Sequence, residues 1–314
     1  MDMIAYLEKI GAPQHHLTMR ELRPLSDIDP KHYADFHAGW FALLPDRRHE
    51  IVVAMVELAE ENVDLHFQQA FLWITEDDDV QTRTEAINGL WEAEQPRVMR
   101  RLLDILKHDT ALDARAAAAT VLSRFAYLAE MGELDEDDSQ QLFEQLLPII
   151  QDSSQPLELR RRSLESVSYY ASMPEIEQQI EYAYESSEIE LKESALMAMG
   201  RSMLPRWLPI VRHEMESRSP ALRYEAARAA GEMGEDARAL VMAVVKLLGD
   251  SDTEVALASI WALGQIGGDT AKRALEQVRD RSESEARLQA ANDALAEISL
   301  DAGVFSAKKP TRSS

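Results

Sequence analysis

His49 and Glu50 stand side by side in "RRHEIVVAMVEL", and His213 and Glu214 repeat the pairing further on. An imidazole next to a carboxylate is a donor set for a transition-metal ion, but a metal centre needs several such groups converging on one point. The other histidines, His15, His16, His32, His37, His66 and His108, show no metal-ligand spacing. The chain has no cysteine, which removes thiolate nucleophiles, disulfides, iron-sulfur ligation and zinc sites that use Cys. No Gly-rich phosphate loop, nucleophile elbow or Ser-His-Asp arrangement stands out. No catalytic, cofactor-binding or metal-ligating residue is assigned, and the chain is expected to carry no cofactor.

The elements that would position any site are helical. Of the 314 residues, 46% are apolar, 28% charged and only 6% aromatic, a composition heavy in Ala, Glu, Leu and Arg that favours helix over sheet. Acids outnumber bases 56 to 33, for a formal charge of -23. Such a charge repels phosphate backbones and anionic lipid, so neither nucleic acid nor membrane is expected as a partner. No apolar run approaches the roughly 20 residues that cross a bilayer. The opening "MDMIAYLEKIGAPQHH" has no basic n-region followed by an apolar core, so a cytoplasmic location is expected.

The chain repeats itself. "LRYEAARAAGEMG" from Leu222 is echoed by "VALASIWALGQIG" from Val255, "LKESALMAMGRSM" from Leu191, "LRRRSLESVSYYA" from Leu159, "ARAAAATVLSRFA" from Ala114, "TRTEAINGLWEAE" from Thr82 and "ARLQAANDALAEI" from Ala286. Taking the second letter of each as a marker gives Arg83, Arg115, Arg160, Lys192, Arg223, Ala256 and Arg287, about 32, 45, 32, 31, 33 and 31 residues apart. That period belongs to helical solenoids. Between markers lies a second amphipathic segment, such as "QPRVMRRLLDILKHD" or "EDARALVMAVVKLLGD". Pro96, Pro174 and Pro205 suit the first turns of these second helices, and turns such as "SRSP" and "GDSD" supply N-caps for the next first helix. An earlier pair starts at Arg48, with Asp29 and Pro30 opening a helix ahead of it.

Gly200, Gly231 and Gly264 each follow their marker by eight residues. A glycine inside a helix costs about 1 kcal/mol against alanine, so a shared register points to close approach of a neighbouring helix. Gly234 and Gly267 fit the left-handed position that ends a helix. The expected fold is all-α, an α-solenoid of about seven to eight antiparallel helix pairs forming a right-handed superhelix. Residues 1–45 are read as capping helices, 46–299 as the solenoid with an acidic insertion at 130–138, and 300–314 as a disordered tail.

"RYEAARAAGEMG" and "ALASIWALGQIG" resemble the HEAT-like repeats also found in phycobilisome lyases, over roughly Arg48 to Ile298. The chain is also similar to uncharacterised bacterial HEAT-repeat proteins. The resemblance implies an armadillo-like solenoid, and it spans scaffolds, adaptors, bilin lyases, a hydroxylase and DNA glycosylases. Deoxyhypusine hydroxylase places iron ligands where His49 and Glu50 stand, which implies four such dyads. The equivalent positions here read Thr84 and Glu85, Ala116 and Ala117, Arg161 and Arg162, Glu193 and Ser194, Tyr224 and Glu225. No second histidine appears, so both residues read as solvated side chains. Trp261 falls in the apolar stripe of a first helix and reads as core.

The expected function is therefore a non-enzymatic scaffold that binds a protein or peptide in a concave groove. The alternative is a HEAT-repeat enzyme, a bilin lyase or metal-dependent hydroxylase. With second helices taken to line that groove, as the resemblance implies, the row opposite their apolar stripe runs Arg97, Arg100, Asp104 and Lys107, then Glu175, Gln178, Tyr182 and Glu185, then Arg206, Pro209 and His213, then Met242 and Lys246; Trp207, beside the stripe of Leu208, Val211 and Met215, is added to it as a candidate partner-binding residue. The row is basic toward the N-terminal half and acidic in the middle, where Glu175 to Glu190 carries six acids and no base.

Overall fold

The computed structural model describes residues 2–170 and 173–307, which form α-helices joined by loops and short 3-10 turns, with no strand among the described residues. They fall into two compact units, Met1–Val167 and Ser168–Ser314, divided inside the span 46–299 that the sequence presents as continuous repeats.

The first unit opens with α1 (Met3–Gly11), α2 (Met19–Leu22) and α3 (Tyr33–Phe41). Asp29 caps the 3-10 turn Pro30–His32 that leads into α3, accepting from the Lys31 N–H at 2.9 Å. The repeats follow: α4 (Pro45–Glu61) with α5 (Gln68–Ile74), α6 (Val80–Asn88) with α7 (Pro96–His108), α8 (Leu112–Glu130) with α9 (Glu136–Gln151), and then α10 (Leu157–Val167). The N-terminal helices are fastened to the first pair by polar contacts. Trp40 Nε1 of α3 donates to Asp77 Oδ2 at 2.6 Å, and Arg47 Nε of α4 donates to the Ile10 carbonyl at 2.9 Å.

The long marker interval is absorbed by helix, not loop. α8 runs on to Glu130 and α9 begins at Glu136, so only residues 131–135 connect them. Of the stretch read as an acidic insertion, Glu136, Asp137 and Asp138 form the first turn of α9, where acidic side chains complement the helix dipole.

The second unit holds α11 (Pro174–Tyr184), α12 (Ile189–Arg201), α13 (Leu208–Glu214), α14 (Pro220–Glu232), α15 (Val241–Leu247), α16 (Thr253–Ile266), α17 (Gly268–Arg281) and α18 (Glu285–Ala307). Helix α18 continues past residue 300, where the sequence reading begins a disordered tail; the remainder of that tail, 308–314, lies outside the described residues. The caps are those the turns offered: Ser219 accepts from the Leu222 N–H, and Asp252 accepts from the N–H groups of Glu254 and Val255.

The glycines sit where first helices meet. A Cβ on Gly200 would stand 2.7 Å from Ala229 Cα, one on Gly231 would stand 3.0 Å from Ala262 Cα, and one on Gly264 would stand 3.0 Å from Ala294 Cα. So α12, α14, α16 and α18 follow one another nearly backbone to backbone. The residues the glycines meet, Ala229 on α14, Ala262 on α16 and Ala294 on α18, are buried and small for the same reason. Gly267 ends α16 at φ 66° and ψ -163°, a positive-φ backbone open to glycine but not the left-handed helical cap expected there.

Candidate interaction surface

The marker arginines prove to be fasteners. Arg83 grips Asp109, which stands in the turn before α8, through two parallel hydrogen bonds of 2.9 Å. Arg223 does the same to Asp250 ahead of α16, at 2.7 and 2.8 Å, and donates to the Ser217 carbonyl at 2.9 Å. Arg48 reaches Asp78 at 2.6 Å. Arg115 and Arg160 donate instead to the Leu106 and Ile150 carbonyls near the ends of α7 and α9. A planar guanidinium meets two carboxylate oxygens or exposed C-terminal carbonyls in a way an ammonium does not, which accounts for arginine at this register. The hydrogen bonds from Arg223 hold the Asp250 carboxyl below the usual carboxylate range.

On the first helices of the second unit one row stays partly exposed. One, five and nine residues after the marker lie nearly above one another on a helix. In the second unit these are Glu193, Met197 and Arg201 on α12, Tyr224, Arg228 and Glu232 on α14, and Leu257, Trp261 and Gln265 on α16. The Arg228 guanidinium lies over the Trp261 ring at 4.6 Å, and the Arg201 guanidinium over Tyr169 at 5.3 Å. Arg228 also reaches Glu232 at 3.2 Å. Met197, Arg201, Tyr224, Glu225, Arg228, Ala229 and Glu232 line a cleft of ≈ 110 Å³ between α12 and α14. Trp261, read from the sequence as core, is half-buried: Gly231 gives its ring room against α14, and the outer face remains under Arg228. The signal for this row was present in the sequence, in the spacing from the markers.

The second-helix row divides. On α7, Arg97, Arg100, Asp104 and Lys107 are all exposed. Arg100 reaches both carboxylate oxygens of Asp138 at 3.2 Å. Tyr182 and Met242 are 58% and 63% exposed, large apolar surfaces left in water. Lys246 lies 3.7 Å from Glu216, His213 is exposed, and Arg206 is paired with Glu177 and Glu181 beside a pocket that also includes Pro174, Glu175 and Gln178. Trp207 does not belong to this row. It is 1% exposed, because Pro205–Trp207 forms a 3-10 turn whose tighter winding carries the indole inward.

His49 and Glu50 lie in α4 and His213 and Glu214 in α13. Among the described residues no group of three or more His, Asp or Glu is placed to hold a metal ion, and no helix is long and apolar enough to cross a membrane.

Residues 208–296 match the family model for HEAT repeats. No curated protein matches the chain. Among solved structures, importin beta is 15% identical, with 95% of this chain and 46% of that one covered and a TM-score of 0.49. The complex of CpcE and CpcF of phycocyanin lyase from Nostoc sp. PCC7120 is 15% identical over 74% of this chain and 96% of that one, with a TM-score of 0.47. An engineered protein is 16% identical over 95% and 88%, with a TM-score of 0.42. The chain thus carries HEAT repeats over 208–296, and further helices precede them in the sequence.

Proposed function

We propose that this chain is a non-enzymatic protein-interaction module whose main binding face is the outward row of α12, α14 and α16. The observation that carries this reading is the continuous strip of Met197, Arg201, Tyr224, Arg228 and Trp261 on helices held at glycine spacing. Arg, Trp and Tyr are the residue types that dominate binding energy at protein interfaces. Here the guanidinium groups are already stacked on rings, so little side-chain freedom remains to be lost when a partner arrives. In any stack, the layer with the closer spacing lies on the inside of a bend, where an extended segment touches several repeats at once. A cytoplasmic site of action belongs to the same reading, on the cysteine-free composition.

A second surface on the second helices is favoured by exposed Tyr182 and Met242. Affinity capture from a lysate of the native source, with the wild-type chain and Arg201→Glu/Arg228→Glu in parallel, separates the two. A stoichiometric partner that the double variant loses supports the α12–α16 face. A partner retained by that variant and lost by Tyr182→Ala/Met242→Ala moves the site to the second helices.

A further inference from the structure

Helix α7, "PRVMRRLLDILKH", concentrates Arg97, Arg100, Arg101, Lys107 and His108 against the single acid Asp104, in a chain of net charge -23. At 100° per residue these six side chains fall within about one third of the helix circumference, opposite the buried Val98, Met99, Leu102, Leu103, Ile105 and Leu106. The pattern therefore makes a cationic face, not a scatter of solubilising charges.

The face is partly used within the chain, and the way it is used identifies its ligand chemistry. Arg100 donates to both carboxylate oxygens of Asp138 on α9, while its own side chain stays 60% exposed. Arg101 is held by the Thr75 hydroxyl and carbonyl and by Asp104, and His108 also meets Asp104. Arg97 and Lys107, both exposed, make no hydrogen bond or ion pair among the described residues. They stand ten positions apart, about 15 Å along the helix axis. An extended chain covers that distance in about four to five residues.

We propose that the α7 face docks an acidic, extended segment of a partner protein, whose carboxylates bridge from Arg97 to Lys107 beside the Asp138 carboxylate already on Arg100. This rests on the interaction-module reading but uses a helix remote in sequence from the α12–α16 strip, so the two can fail separately. Charge complementarity fixes the sign of the partner, and the -23 background speaks against the other polyanion, nucleic acid.

The test is fluorescence anisotropy with a fluorescein-labelled peptide of alternating Glu and Ser, about ten residues long, read against its Lys-Ser counterpart and a single-stranded oligonucleotide. The full chain is expected to bind the Glu-Ser peptide alone, and more weakly as salt rises, since these are exposed charges. Arg97→Glu/Lys107→Glu should weaken binding at least about tenfold and Arg97→Gln/Lys107→Gln less, while Arg273→Glu, an exposed arginine of α17, leaves it unchanged. Because the substituted side chains are unpaired, circular dichroism should show intact helix in each variant. Failure of the Glu-Ser peptide to bind, equal binding by the charge-reversed variant, or tighter binding of the oligonucleotide would each overturn the proposal. None of these would bear on the α12–α16 face, which the capture experiment tests.

Discussion

Gly200 and Ala229 meet so closely that no side chain fits between them: a Cβ on the glycine would lie 2.7 Å from the alanine Cα. Because the obstacle is backbone, it does not yield as a flexible side chain would. Gly200→Ala is therefore expected to lower stability by about 1–3 kcal/mol, despite the gain of up to about 1 kcal/mol in helix propensity. Gly249, whose Cβ would meet only the Lys246 carbonyl at 3.7 Å, is the control. Gly249→Ala should be neutral within about 0.5 kcal/mol. Urea denaturation of the two variants checks both, and equal effects would remove close packing as the reason for the glycine ladder.

The Arg223 pair sets an acid dependence. Asp250 has its carboxyl lowered from an ordinary 3.8 by hydrogen bonds from Arg223, with the backbone N–H of Asp252 adding to them. A group with a depressed folded value stabilises the fold above its unfolded value, and that contribution is lost as pH falls through the folded one. Arg83 acts likewise on Asp109, where burial pushes the carboxyl up but the hydrogen bonds outweigh it. The urea midpoint should thus decline below about pH 4. In Asp250→Asn the decline should be shallower and the midpoint at pH 7 lower. An unchanged pH profile would show that the pair contributes nothing to stability.

Trp40 tests how the N-terminal helices are held. Its indole N–H is bonded to Asp77, whose side chain is fully buried and whose carboxyl is pushed up chiefly by that burial. Trp40→Phe keeps the ring packed on Phe36 but strands a buried acceptor, at an expected cost of about 1–3 kcal/mol. Hydrogen exchange should accelerate in α1 and α3 before it does in α8. Uniform acceleration throughout the first unit would contradict a local fastening.

Much of the fold was legible because repetition averages out local ambiguity. One glycine in "RAAGEMG" is a curiosity, whereas three at the same register mark a packing rule, and the structure places all three against the next first helix. The markers were legible as basic but not as fasteners, since nothing local shows that Arg223 reaches a turn 27 residues on. Trp261 was misread because an apolar stripe does not reveal which of its members the neighbouring helix leaves uncovered. Trp207, a candidate for the partner-facing surface because it stands at the edge of an apolar stripe, is instead buried, carried inward by the 3-10 turn Pro205–Trp207. The acidic stretch 130–138 read as a loop because acids and Gly132 interrupt the apolar pattern, yet much of its acidity lies in the ends of two long helices.

If the outward row of α12, α14 and α16 receives a partner protein, that protein must lie within reach of Met197. The most direct test is a photo-crosslinking residue placed at Met197, with a parallel chain carrying it at Met242 on α15, illuminated in a lysate of the native source. Position 197 is expected to give one discrete protein adduct, abolished by Arg201→Glu/Arg228→Glu. Adducts from position 242 with none from 197, or a 197 adduct indifferent to those charge reversals, would contradict this binding face.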